Sequence, residues 1–243
     1  MKLILFYQKL RLNMRDQILE SIRTNRISTV EVADALGKTG VLPEIYALNG
    51  GKFIAGEVFY TCAWSESNWP LHEQIQEVPE GKIVYVDSIH CGKRAIFGDL
   101  VAKWLILYRK ASGVVVNGYV RDIHRLKKEG YPIWCTGTTP LGCFNREMPI
   151  TVEVSEYITN QRKIFEGAIL VADDSGCTLI ESQKQTSSLL ERINFIELQE
   201  DIWYFCTDTL KLSTFETICK KKYLEEPSLL PKALKLALDR HDD

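Results

Sequence analysis

The chain has 243 residues, 45% of them hydrophobic, with 30 Lys and Arg against 32 Asp and Glu and a formal net charge of −2. Such a chain can bury a substantial core in one large domain or two small ones, and its near-neutral balance excludes a global electrostatic pull toward nucleic acid or anionic membrane. Seven dispersed cysteines with no C-x-x-C pair argue against a disulfide framework or zinc knuckle and for a reducing, cytoplasmic setting.

At the start of the chain, the apolar run Leu3 to Tyr7 is too short for a signal-peptide core and is followed by Gln8, Lys9 and Arg11 rather than a cleavage site. No window approaches the roughly 20 apolar residues of a membrane-spanning helix. Ile18, Leu19 and Ile22 have helical spacing and predict a first helix. Ser28-Thr29-Val30-Glu31 is a capping-box pattern opening a second that ends at Gly37. Lys52 to Tyr60 predicts a strand, Leu71 to Gln76 a short helix, and Lys82 to Asp87 a buried strand of near-continuous apolar character.

Next come a helix over Leu100 to Lys110, apolar nearly all round and expected to be well buried, and a strand over Gly113 to Asn117. A helix over Ile123 to Glu129 stops at Gly130, and a strand begins at Ile133. Strands alternating with helices through short links imply βαβ units and a partly parallel sheet. Further on, Ile150 to Val154, Ala168 to Ala172 and Cys177 to Glu181 predict strands, the last two joined by a turn at Asp173-Asp174-Ser175-Gly176. Ser187 to about Thr209 predicts a long helix, and Ser213-Thr214-Phe215-Glu216 a second capping box opening a helix to Lys222. Leu234, Leu236 and Leu238 suggest a peripheral helix or frayed tail. The expected organisation is one α/β domain over residues 1–222 and a C-terminal extension over 223–243.

Two segments carry the candidate chemistry: Gly98-Asp99-Leu100-Val101 and Gly118-Tyr119-Val120-Arg121-Asp122. Ligands of open α/β sheets sit outside the carboxyl ends of the strands. Arg121 and Asp122 follow one such end and Asp99 opens the preceding helix, so all three belong at one rim. Asp122 either caps its helix or serves as a ligand to a hard metal, since Mg²⁺ or Mn²⁺ takes one or two carboxylates and keeps several waters. Arg121 is either a surface ion pair or a bidentate clamp on a substrate carboxylate. Asp99 is either an N-cap or a base at the positive end of its helix, where the Leu100 and Val101 amides present N–H groups to an anion. The four histidines lack metal-ligand spacing, and no dinucleotide or Walker glycine pattern occurs.

These segments resemble those of the RraA-like family, which includes 4-hydroxy-4-methyl-2-oxoglutarate / 4-carboxy-4-hydroxy-2-oxoadipate aldolases. The family pattern is Gly-Asp-Leu-Leu-Ala followed by Gly-x-x-Arg-Asp about twenty residues on; here they read Gly98-Asp99-Leu100-Val101-Ala102 and Gly118-Tyr119-Val120-Arg121-Asp122. Similarity also runs through Thr29 to Leu36, Leu71-His72-Glu73, Gly130 to Ile133, Gly137 to Pro140, Gly167 to Gly176 and Lys211 to Glu216, leaving residues 1 to about 12 and the tail beyond Lys222 uncovered.

The resemblance implies a swivelling β/β/α-type fold in homotrimers or homohexamers with active sites between subunits. It implies Mg²⁺ or Mn²⁺ and pyruvate-enolate chemistry on a small 2-keto acid: retro-aldol cleavage, oxaloacetate decarboxylation, or both. By position Asp122 is the metal ligand, Arg121 with the Leu100 and Val101 amides binds the pyruvyl carboxylate, and Asp99 orients a water. Glu197 or Glu200 is the candidate carboxylate from a neighbouring subunit. The alternative is a non-catalytic regulator, because the family's namesake binds and inhibits ribonuclease E; it lacks the Asp after Arg that Asp122 supplies here.

Three features depart from the pattern. The interval from Asp99 to Arg121 is one residue longer than usual, so a bulge or longer loop is expected. Asn117 stands where many members have Asp, and His90-Cys91-Gly92-Lys93-Arg94 replaces a more glycine-rich or acidic stretch.

Overall fold

A computed structural model describes residues 12–239, so the run Leu3–Tyr7 lies outside the described residues. The chain divides into two units, Met1–Thr186 and Ser187–Asp243; the boundary expected from sequence stands at 222/223.

The first unit opens with two helices. In α1 (Met14–Asn25) Asn13 caps the start and Ile18 and Ile22 are buried. In α2 (Thr29–Ala35) the predicted capping box is formed: Ser28 Oγ accepts from Glu31 N–H at 3.2 Å and the Glu31 carboxylate accepts from Ser28 N–H at 2.7 Å. Short strands β1 (Val41–Leu42) and β2 (Tyr46–Ala47) lead into the long β3 (Ile54–Trp64) and helix α3 (Trp69–Gln74). Then follow β4 (Ile83–Ile89), β5 (Ala95–Phe97), α4 (Asp99–Lys103) continuing as a π-helical turn (Trp104–Tyr108), β6 (Gly113–Val120), α5 (Ile123–Glu129) and β7 (Ile133–Thr138). After α6 (Val152–Phe165), the hairpin β8 (Ile169–Asp173) and β9 (Gly176–Ile180) ends the sheet.

Among the described residues the strands form one nine-stranded sheet, ordered β1-β9-β8-β3-β4-β6-β7-β2, with β5 beside β6. β3, β4, β6 and β7 are mutually parallel; β8, β9 and the short strands β1 and β2 add antiparallel margins. The expected partly parallel sheet is therefore present. Its centre is dry because β4 and β6 are apolar on both faces: Val84, Val86, Val114 and Val116 pack toward Val101, Leu105 and Leu126, while Ile83, Tyr85 and Val115 pack with Trp134 and Phe165. Each such fully buried side chain contributes about 1.5–3 kcal/mol of burial free energy. Parallel order places the carboxyl ends of β4 and β6 at one rim.

Two expectations are corrected. Residues 150–154 are not a strand: Thr151 caps α6, accepting from Val154 N–H at 3.3 Å. Alternating β-branched residues there mimic a strand, but Val154 and Ile158 lie one helical turn apart and bury against Cys62 and Ile89. The helix after Asp99 is not buried all round either. Val101, Ala102 and Leu105 face the core, whereas Leu100, Leu107 and Tyr108 are 78%, 52% and 62% exposed, because the sheet covers one side only.

The second unit begins with α7 (Ser187–Tyr204), which continues as a π-helical turn to Thr209. The second capping box is present, with Ser213 N–H on the Glu216 carboxylate at 3.1 Å and Glu216 N–H on Ser213 Oγ at 3.2 Å. It opens a π-helical turn over Phe215–Cys219 rather than one α-helix to Lys222. Short α8 (Lys222–Glu225) and α9 (Lys232–Asp239) follow. Ile202, Cys206, Tyr223, Leu230 and Leu238 form the core of this unit. No helix among the described residues is long and apolar enough to cross a membrane.

Candidate active site

Arg121 and Asp122 leave the carboxyl end of β6. The Arg121 N–H still donates to the Phe97 carbonyl of β5 at 3.0 Å, so its backbone is held by the sheet. Asp122 then turns the chain with φ 61° and ψ 33°, a left-handed conformation that costs a non-glycine residue on the order of 1 kcal/mol. Its carbonyl starts α5 by accepting from Arg125 and Leu126 N–H at 3.0 and 3.1 Å.

The Asp122 carboxylate does not cap that helix. Its Oδ2 accepts from the Asp99 N–H at 3.3 Å and lies 3.8 Å from Arg121 Nε. Asp99 is not an N-cap either: Gly98 holds that position and Asp99 is the first residue of α4. Its carboxylate accepts from Arg125 Nη1 at 2.7 Å. That hydrogen bond is the main reason Asp99 is held below the usual carboxylate range. Neither aspartate side chain caps its own helix; the Asp122 carboxylate instead meets the first N–H of α4, and two carboxylates and two guanidiniums lie at one rim.

Two glycines make this approach possible. A Cβ on Gly98 would overlap the Asp122 carboxylate, and one on Gly142 would overlap the Arg121 guanidinium. At the start of α4 the Leu100 side chain is exposed and Val101 is buried. The first-turn N–H groups of a helix have no partner within it, and that of Leu100 interacts with the Asp99 carboxylate. Asp99, Leu100, Val101, Arg121 and Asp122 thus lie together at one rim of the first unit. Glu197 and Glu200 lie on α7 of the second unit, where Glu200 lines a cavity of about 270 Å³ with Trp203, Tyr204 and Thr217.

Among the described residues no three His, Cys, Asp or Glu side chains converge on one point, which leaves no closed protein cage for a metal. An exposed carboxylate with a second one engaged beside it offers hard oxygen donors only. That set fits Mg²⁺ or Mn²⁺, which complete their shells with waters and substrate oxygens, and not a softer metal.

Arg125 and Gly142 are missed by sequence reasoning, the first because an exposed helical Arg carries no distinguishing pattern, the second because it lies in an irregular loop. The extra residue between Asp99 and Arg121 falls in a stretch with two irregularities. One is the π-helical turn, where Arg109 N–H reaches back to the Trp104 carbonyl at 3.0 Å; the other is a register shift between Val116 and Tyr119 in the β6–β7 pairing. A π turn holds one residue more than an α turn. Asn117 points its amide at Asp87 of β4, at 3.0 Å. Buried Asp87 also accepts from the hydroxyls of Tyr60, at 3.3 Å, and Tyr157, and burial raises its pKa.

The sequence profile described as RraA-like (Aldolase/RraA) matches residues 29–179, well over half of the chain. The chain belongs to the RraA-like family. A protein of Halalkalibacterium halodurans, provisionally named a 4-hydroxy-4-methyl-2-oxoglutarate aldolase, is 30% identical over 172 residues, covering 67% of this chain and 77% of that protein. Protein DlpA of Legionella pneumophila is 28% identical over 180 residues, covering 70% of this chain, which spans only 28% of DlpA's length. The fold is shared with Streptomyces coelicolor RraAS2, an unusual member of the RNase ES inhibitor RraA protein family, at a TM-score of 0.57 and 22% identity over 76% of this chain and 94% of that one.

Proposed function

We propose that this protein is a divalent-metal-dependent lyase that cleaves a C–C bond of a 2-keto acid to release pyruvate. Retro-aldol cleavage of a 4-hydroxy-2-keto diacid and decarboxylation of oxaloacetate both fit one site, because both leave the same carbanion at C3. The observation that carries this reading is the pairing of a half-exposed Asp122 carboxylate with Arg121 at a strand end, with Gly98 and Gly142 shaped around them. Aldolase names among the relatives support it.

In this reading Arg121 clamps the substrate's pyruvyl carboxylate with a planar, permanently charged group, aided by the amides at the start of α4. Asp122 would hold Mg²⁺ or Mn²⁺, which supplies an electron sink when bound. Asp99, kept ionised by Arg125, orients the water that takes the 4-hydroxyl proton. Homotrimers or homohexamers in the cytoplasm, with Glu197 or Glu200 completing a neighbour's site, belong to the same proposal.

A screen of 4-hydroxy-2-keto acids and oxaloacetate, with and without Mg²⁺ or Mn²⁺, tests the reading. Metal-dependent pyruvate release is expected. Silence on every substrate, with binding to a ribonuclease E-type partner, would establish a non-catalytic regulator instead.

A further inference from the structure

We propose that the cavity between β4, β6 and α6 binds a small organic cation, a primary ammonium on a short apolar stem, with Asp87 as its counter-ion. The cavity measures about 290 Å³, at the low end of the range for small-molecule pockets. It lies beside the carboxyl end of β4, in a part of the sheet where ligands of parallel strands bind. It shares no residue with the rim of Asp99, Arg121 and Asp122, so the proposal does not rest on the lyase reading.

The sheet register builds this cavity. Asp87 and Asn117 are the last pair of the β4–β6 ladder, and the β6–β7 pairing shifts register between Val116 and Tyr119, where Asn117 stands. Asp87 follows Tyr85 by two residues and so shares its face of β4. Tyr85 stacks on Phe165 of α6, with ring centroids 4.1 Å apart. The cavity therefore opens on the α6 face, whereas Val84 and Val86 point to the core under α4 on the other.

Asp87 is only 3% exposed, yet its partners carry no positive charge. Its Oδ1 accepts from Asn117 Nδ2 at 3.0 Å and its Oδ2 from the Tyr60 hydroxyl at 3.3 Å. Every group that hydrogen-bonds it is neutral. Buried carboxylates are ordinarily paired with a cation or neutralised by a proton, and a cation in the cavity would supply the missing charge. The lining points the same way. Glu153 adds a second carboxylate from the first turn of α6. It also offsets the positive end of that helix, where Val154 N–H is already taken by Thr151 Oγ1 at 3.3 Å. Apart from His90, no lining residue can carry positive charge.

The apolar part of the lining sets the rest of the ligand. Ile89, Val154 and the Tyr157 ring form walls that offer a bare divalent ion no oxygen donors. The same walls suit a hydrocarbon stem, and an aromatic ring attracts an ammonium over its face. Glu153 and Tyr157 are exposed, which leaves this side of the cavity in contact with solvent.

The test titrates the full chain with phenethylamine, phenethyl alcohol and hydrocinnamate. These keep the stem and change the head from cation to neutral to anion. Binding is followed by calorimetry, and its place by NMR of the backbone amides and the Asp87 carboxyl. Phenethylamine is expected to bind, with amide shifts centred on Ser88, Asn117 and Tyr157 and a shift of the Asp87 carboxyl signal. The alcohol should bind at least about 10-fold more weakly, the worth of a hydrogen bond to a charged group, and hydrocinnamate not measurably. D87N should weaken the amine by the same factor. Should D87N fail to fold, the contrast between the three heads and the Asp87 carboxyl signal in the wild type carry the test. Equal affinity for amine and alcohol, an Asp87 signal that stays still at saturation, undiminished amine affinity in folded D87N, or no binding of phenethylamine at about 10 mM would each overturn the proposal.

Discussion

Gly98 carries no side chain because the Asp122 carboxylate occupies the place its Cβ would take. Gly98→Ala should therefore displace that carboxylate and lower kcat/KM by about 100-fold, the scale of a 1 Å misplacement, while circular dichroism stays native; an unchanged kcat/KM would remove the Asp122 position from the site. Arg121→Ala should raise KM for the 2-keto acid about 10- to 100-fold, the worth of a charge-assisted hydrogen-bond pair. Asp87 offers a check independent of activity. Burial raises its pKa and the Tyr60 hydroxyl opposes that rise, so Tyr60→Phe should move the Asp87 midpoint, followed by carboxyl NMR, further up. Because the folded-state pKa lies above the unfolded value, the stability contributed by Asp87 is fully present below the unfolded pKa and is lost as pH rises through the folded one. That the segments Gly98–Val101 and Gly118–Asp122 meet at one rim was legible because each carries its own short glycine-led pattern after a strand. Arg125 and Gly142 were not, since each depends on segments that only the fold brings together.

Elements were legible where hydrophobic period and punctuation agree. Ser28 and Glu31 set the start of α2, Gly130 ends α5, and the valines of β4 and β6 mark strands buried on both faces. One failure arises because a short run of β-branched residues does not specify its own period. Val152 to Val154 alternates like a strand, yet the longer register through Ile158 and Phe165 wins because it buries those side chains. Ile158→Ala should accordingly cost about 2–4 kcal/mol in urea unfolding; a cost below about 0.5 kcal/mol would mean that α6 does not pack as described. The exposed apolar side of α4 and its π turn was misread for a different reason. Composition shows how apolar a helix is but not how many of its faces the neighbouring sheet covers.

At the scale of the whole molecule, the parallel order β3-β4-β6-β7 assembles the candidate site, because it delivers the end of β6, the start of α4 and the Gly142 loop to a single rim. The family and the partly parallel sheet were legible in the sequence; the nine-strand order, which depends on long-range pairing of β3 with both β4 and β8, was not. The central claim is that Asp122 supports metal-dependent C–C cleavage at this rim. The most direct measurement is pyruvate release from oxaloacetate by the wild type and Asp122→Ala, each with Mg²⁺ or Mn²⁺ and again with excess EDTA. Release by the wild type with metal, falling to the enzyme-free metal control in the variant and to background with EDTA, is the predicted result. Full activity in EDTA, or wild-type rates from Asp122→Ala, would contradict it.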